Sequence, residues 1–192
     1  MADMAAPPPL PYAVEALEPV LDAKTVRMHH DVIEAKYYTK LTELLTPGAK
    51  LDPSAICYNT AGAALHRLYW QNLTTPGQGS RPSPALNDTI VRDFGSAKSF
   101  VTACSDVALS IRGEGWALLG WSPDLQRLVL MGVHGHTDGL VPGADVLLAI
   151  DVWEHAYITR YGPDREAYVR ALWGAVNWAT VSYRFGRATA MM

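Results

Sequence analysis

Between Ala23 and Leu45 apolar residues return every three or four positions, at Val26, Ile33, Tyr37, Leu41 and Leu44, with His29 in the same series. That spacing predicts one long amphipathic helix, stopped by Pro47-Gly48. A second helix is expected to begin near Pro53-Ser54, with Ser54 placed to cap it, and to run through ICYNTAGAALHRLYWQNL before Pro76-Gly77. Two helices with a short connection pair antiparallel. The turn-rich stretch TPGQGSRPSP, Thr75 to Pro84, is the natural boundary between a first domain (1–83: an extended proline-rich arm and the hairpin) and a second (84–192). Past it, DTIVRDFGSAKSFVTACSDVALSI reads as two short helices. WALLGW and RLVLMGV, separated by SPDLQ, read as a β-hairpin, and VLLAI adds a third strand. The rest is helical again, anchored by Tyr157, Tyr161, Tyr168, Trp173 and Trp178. The expected class is α+β: an antiparallel helical hairpin followed by a domain with a three-stranded antiparallel sheet.

Composition narrows the functional classes. With 49% hydrophobic and 18% charged residues in 192, the chain can bury a core. A formal charge of -3 argues against a broad nucleic-acid or membrane footprint. No apolar run approaches the ~20 residues a spanning helix needs, and MADMAAPPPLPY lacks a secretory pattern, so a cytoplasmic location is expected. Cys57 and Cys104, far apart and outside any CxxC, read as buried small hydrophobes.

The six histidines carry more information. His29 lies on the stripe of Ile33 and Tyr37, and His66 holds the equivalent place on the second helix, with Gly62 and Trp70 one turn to either side. Taken singly, each reads as a hydrogen-bonded core histidine. In VLLAIDVWEHAY, however, an apolar strand breaks at Asp151 and a further histidine, His155, follows four residues on. Three imidazoles and one carboxylate suit iron, manganese or zinc, with room for a bound solvent.

These segments resemble the iron/manganese superoxide dismutase family along nearly the whole chain. DVWEHAY (Asp151 to Tyr157) is the most specific. LPYAVEALEPVLDAKTVRMHH resembles the family's arm and first-helix start, ALHRLYW its second-helix ligand region, GEGW its glycine-tryptophan turn and ALWGAVNW its C-terminal helix. The resemblance implies that His29, His66, Asp151 and His155 hold one Fe or Mn ion per subunit, with Trp70, Trp116 and Trp153 as an aromatic cage. It implies roles for Tyr37 at the substrate mouth, for Arg165 in drawing in the anion, and for Glu154 in bonding across a homodimer to the partner's ligand histidine; a tetramer stays open. The reaction implied converts superoxide to oxygen and hydrogen peroxide, with protons supplied by bound solvent and Tyr37. The family's usual solvent-holding glutamine is absent at Gly62, so the donor is expected from the second domain, at His136, with His134 as the second candidate.

Several positions depart from the family pattern. Ile33 and Ile158 stand where a histidine and a cross-dimer tyrosine are usual, Glu34 replaces a neighbouring histidine, Leu65 an asparagine and Val32 a funnel lysine. A more apolar, less basic mouth follows, with weaker anion steering. Two other readings are therefore carried: a metal-dependent redox enzyme on the same scaffold for a larger or less polar substrate, and a structural protein that reuses the fold.

Overall fold

The computed structural model describes residues 6–190. The first helical region is composite: α1 (Ala23–Arg27), a π-helical segment (Met28–Glu34) and α2 (Ala35–Leu44). This departs from the single regular helix expected. In the π segment the backbone takes an extra residue per turn, so Glu34 follows His29 inward and Ile33 is only half-buried. Helix α3 (Pro53–Gln71) lies against α2. Its cap is Asp52, whose carboxylate accepts from the Ala55 N–H at 2.9 Å, rather than Ser54. Proline at the first helical position pre-sets the backbone, so the cap falls on the residue before Pro53, two positions earlier than expected.

Helices α4 (Pro84–Phe94) and α5 (Ala97–Ser110) follow, capped by Ser83 and Ser96. The strands are β1 (Gly115–Ser122), β2 (Arg127–His134) and β3 (Asp145–Asp151), antiparallel in the order β2-β1-β3. Every residue of β1 is buried, as befits a central strand covered on both faces. Helix α5 packs on β1 and β2, and α3 packs on β3 together with the last helix, α8 (Trp178–Ala190). Between β3 and α8 run a 3-10 turn (Glu154–Ala156), α6 (Ile158–Tyr161), α7 (Arg165–Leu172) and a second 3-10 turn (Trp173–Ala175).

The open edge of β3 is closed by side chains. Asn72, at the end of α3, accepts from the Ala149 N–H and donates to the Leu147 carbonyl, which also accepts from Arg184. Exposed strand edges invite unwanted pairing, and these bonds occupy that edge while fixing α3 against β3. The Leu73↔Val176 bridge ties the chain just past α3 to the segment that leads into α8. Cys104 is buried as expected, its thiol pushed up to about 12 by burial, whereas Cys57 is exposed on α3. Among the described residues no helix is long and apolar enough to cross a membrane.

Candidate metal centre

Four side chains from four segments meet where α3 crosses β3. His29 comes from the π segment, a distortion that often marks functional sites because it re-aims one side chain without ending the helix. His66 sits on α3, and its Nδ1–H donates to the Gly62 carbonyl one turn back, at 2.7 Å. A carbonyl only accepts, so this bond fixes the tautomer and leaves the Nε2 lone pair free. Asp151 is the last residue of β3, paired with Trp116; its Oδ1 accepts from the Trp153 N–H at 2.8 Å, leaving Oδ2 unspent. His155 follows on the 3-10 turn, its side chain 16% exposed while the other three are fully buried.

The free atoms converge. Asp151 Oδ2 lies 3.1 Å from His29 Nε2, 3.6 Å from His155 Nε2 and 3.9 Å from His66 Nε2, and the four ligand atoms all fall within 4.8 Å of one another. Asp151 Oδ2 and the three Nε2 atoms are buried without a hydrogen-bond partner among the described residues. Orphaned buried polar atoms are costly, and four of them aimed at one point are explained by an ion bound between them. The electrostatics agree. Burial by itself raises the Asp151 carboxyl, but the close approach of the His155 and His29 imidazoles outweighs it and holds the group well below the usual carboxylate range. Burial depresses His29 and takes His66 down to about 3, so both imidazoles are neutral lone-pair donors at physiological pH. Three imidazole nitrogens and one carboxylate form a donor set suited to one transition-metal ion.

A second ring of contacts orients the donors. The Trp70 ring lies 4.8 Å from His29, Trp116 lies 5.0 Å from His66 and Trp153 lies 5.5 Å from His155. Glu34, fully buried, accepts from Trp70 Nε1–H at 2.8 Å, and burial pushes its carboxyl up to about 7. The Tyr168 hydroxyl donates to the Asp151 carbonyl at 2.9 Å, which leaves Tyr69, packed on His29, to donate to the Tyr168 oxygen at 3.1 Å. His136, fully buried, accepts at Nδ1 from Trp116 Nε1–H at 3.0 Å. Burial lowers it to about 4, so the neutral ring carries its proton on Nε2 and donates it to the Tyr37 oxygen at 2.7 Å. The hydroxyl proton of Tyr37 is thereby left for another acceptor. Gly62 makes this placement possible: a Cβ there would come within 2.8 Å of the Tyr37 ring.

Residues 6–74 match the alpha-hairpin domain of iron/manganese superoxide dismutases, and residues 82–184 match the C-terminal domain of the same proteins. The chain belongs to the iron/manganese superoxide dismutase family. It is 35% identical to a protein of Pyrobaculum aerophilum named superoxide dismutase [Fe], over 94% of this chain and 92% of that one. It is 34% identical to superoxide dismutase [Mn/Fe] of Aeropyrum pernix (94% and 90%) and 34% to superoxide dismutase [Mn] 1 of Halobacterium salinarum (94% and 94%). Equal similarity to relatives named for different metals means that overall identity does not discriminate between them.

Against the family pattern, the remaining positions fall in three places. His134 is exposed on β2 and far less enclosed than His136. Arg165 donates to the carbonyls of Ile111 and Gly113 and to the Tyr157 hydroxyl, so much of its guanidinium is engaged in holding the chain before β1. Glu154 is exposed, as are Val32 and Ile158, whereas Leu65 is buried. Sequence reasoning passed over Tyr69 and Tyr58, and named Tyr168 only as an aromatic anchor of the C-terminal helical stretch. Tyr69 lies three residues after His66 on the same face of α3, and Tyr58 continues the spacing of four through Gly62 to His66, so both carried a signal. Tyr168 carried none, since its partner Asp151 lies 17 residues away through a turn and a short helix.

Proposed function

We propose that this protein is a superoxide dismutase that uses one Fe or Mn ion per subunit, held by His29, His66, Asp151 and His155, and that it acts in the cytoplasm as a homodimer. The convergence of four buried, unpartnered donor atoms carries this reading, and relatives named as superoxide dismutases across nearly the full length support it. When bound, the ion supplies one-electron chemistry, so that two superoxide anions and two protons give oxygen and hydrogen peroxide.

The chain's own groups supply the rest. Trp70, Trp116 and Trp153 exclude water and keep the donors in place. Burial, with Tyr58, Asp151 and Glu114 nearby, pushes the Tyr37 phenol well above its ordinary value, so the hydroxyl keeps its proton until a strongly basic reduced oxygen species draws on it. Neutral His136 holds the Tyr37 oxygen in position. Glu154, exposed next to His155, is the proposed partner of the ligand histidine of a second copy, and the exposure of Ile158 and Val32 supports burial of apolar side chains in such a dimer. The division at 83/84 falls between α3 and α4, with two ligands contributed from each side. The test is superoxide decay followed by stopped flow with Fe-loaded and Mn-loaded protein. Acceleration proportional to bound ion with at least one metal is expected; decay no faster than with metal-free protein overturns the reading.

A further inference from the structure

The proline-rich arm and the helical hairpin frame a cavity of about 560 Å³ that none of the four metal ligands lines. Sites for small organic ligands span roughly 300 to 1,000 Å³, so the space is of a useful size. Pro7, Pro8 and Pro9 form one wall, and Leu41 of α2 with Ala63 and Ala64 of α3 form the other. The arm is fixed in place. The Pro8 carbonyl accepts from the His30 ring at 2.9 Å, and the Tyr12 hydroxyl donates to the Trp70 carbonyl at 2.8 Å.

Three polar side chains interrupt these walls: Tyr38, Thr60 and Arg67. Neither the Tyr38 hydroxyl nor the Arg67 guanidinium has a hydrogen bond or ion pair among the described residues, and no acid among them lines the cavity. Glu34, the carboxyl whose charge Tyr38 and Arg67 feel, is fully buried and makes no ion pair with Arg67. A second cation adds to the field. Arg184 donates from Nη2 to Gln71 Oε1 at 2.7 Å, one turn beyond Arg67 on α3, and burial together with the Arg67 charge pushes it down to about 10.

We propose that this cavity is a binding site for an aliphatic carboxylate of medium chain length: Arg67 and Tyr38 hold the head group, and the prolines, Leu41 and the two alanines receive the chain. A guanidinium presents parallel N–H groups that match the two oxygens of a carboxylate, and an unpaired one beside an apolar wall selects an anion with an apolar body. Proline and alanine lose almost no side-chain entropy when covered, so burial of a chain against them is offset by little else. The proposal is independent of the reaction at the metal centre.

The test is isothermal titration calorimetry of metal-loaded protein with octanoate, and with acetate and octanol as controls. One octanoate per chain is expected, with acetate and octanol each about tenfold weaker or more, because each lacks one half of what the cavity recognises. Arg67→Gln should weaken octanoate about tenfold and leave octanol unchanged, whereas Arg67→Lys retains part of the affinity. Ala64→Phe keeps the cation, fills the apolar wall and should abolish binding. Tyr38→Phe, which removes a single oxygen and guards against a folding defect, should weaken octanoate about threefold. Octanol binding as tightly as octanoate, or unchanged octanoate affinity in Arg67→Gln or Ala64→Phe, overturns the proposal. So does a wild type that takes up no octanoate; if Arg67→Gln then sediments as a smaller species, a second copy of the chain fills the cavity instead. None of these readouts involves superoxide, so their failure is distinguishable from a failure of the dismutase reading.

Discussion

The two halves of the metal centre are held in different ways. His29 and His66 come from helices, are fully buried, and His66 is locked by a bond to its own helix backbone. On the other half, His155 sits on a single 3-10 turn just past the strand end, is partly exposed, and its Nδ1 has no hydrogen bond among the described residues. Asp151 links the halves, its carbonyl fixed by Tyr168 and its Oδ1 by Trp153. The helical half is therefore enclosed by the chain itself, with His66 oriented by its own helix and His29 Nδ1 buried without a hydrogen-bond partner among the described residues, while the other half ends in a partly exposed imidazole whose outward nitrogen is open to an orienting partner. In the proposed dimer, an interface at that point would make full metal affinity depend on assembly.

Removing the link should have the largest effect. Asp151→Ala takes away the only anionic donor, and metal analysis should find occupancy below about one tenth of wild type under equal loading. Next comes the partly exposed half. Glu154→Gln is expected to weaken metal binding about 10- to 100-fold, read by competition with a chelator, and to shift the protein toward monomers in sedimentation. Unchanged affinity and assembly would show that His155 is oriented within its own chain. In the helical half, Gly62→Ala should leave metal content intact, since no donor changes. The added Cβ displaces Tyr37 from His136, and turnover per bound ion should fall about 10- to 100-fold.

The smallest effect concerns Glu34, behind the helical half. Its carboxyl is raised from 4.5 to about 7 chiefly by burial, against the Trp70 bond and the charges of His30 and Arg67, with Asp31 adding to the rise. Tyr12 and Tyr38, which feel its charge, also face it. Between those values the folded protein holds a proton that the unfolded chain has released, so this group costs stability as pH rises, by at most about 3 kcal/mol, and the cost is constant above about 7. Glu34→Gln stays neutral. Its melting temperature relative to wild type should therefore be higher at pH 8 than at pH 5, and a gap independent of pH would contradict the assignment.

How legible the site was in sequence follows the same division. His29, His66, Asp151 and His155 were recoverable because each lies at a helical spacing or a strand end that local pattern reveals, and the four-residue steps on α3 put Gly62, His66 and Trp70 on one face. The helix, hairpin and strand order followed from periodicity and turn residues for the same reason. The π segment was not legible: local propensity does not record an i to i+5 register, which is set by packing, and the extra residue exchanged Ile33 for Glu34 on the inner face. Nor were the Tyr69–Tyr168–Asp151 chain and the Glu34–Trp70 bond, which join residues far apart in sequence. The cap at Asp52 rather than Ser54 turned on a single residue of proline geometry.

The most direct measurement is anomalous X-ray scattering at the iron or manganese edge on crystals of metal-loaded protein. One peak per chain, within bonding distance of His29 Nε2, His66 Nε2, His155 Nε2 and Asp151 Oδ2, is the expected result. A peak elsewhere, or full loading without a peak among these four atoms, would contradict the assignment of the metal centre.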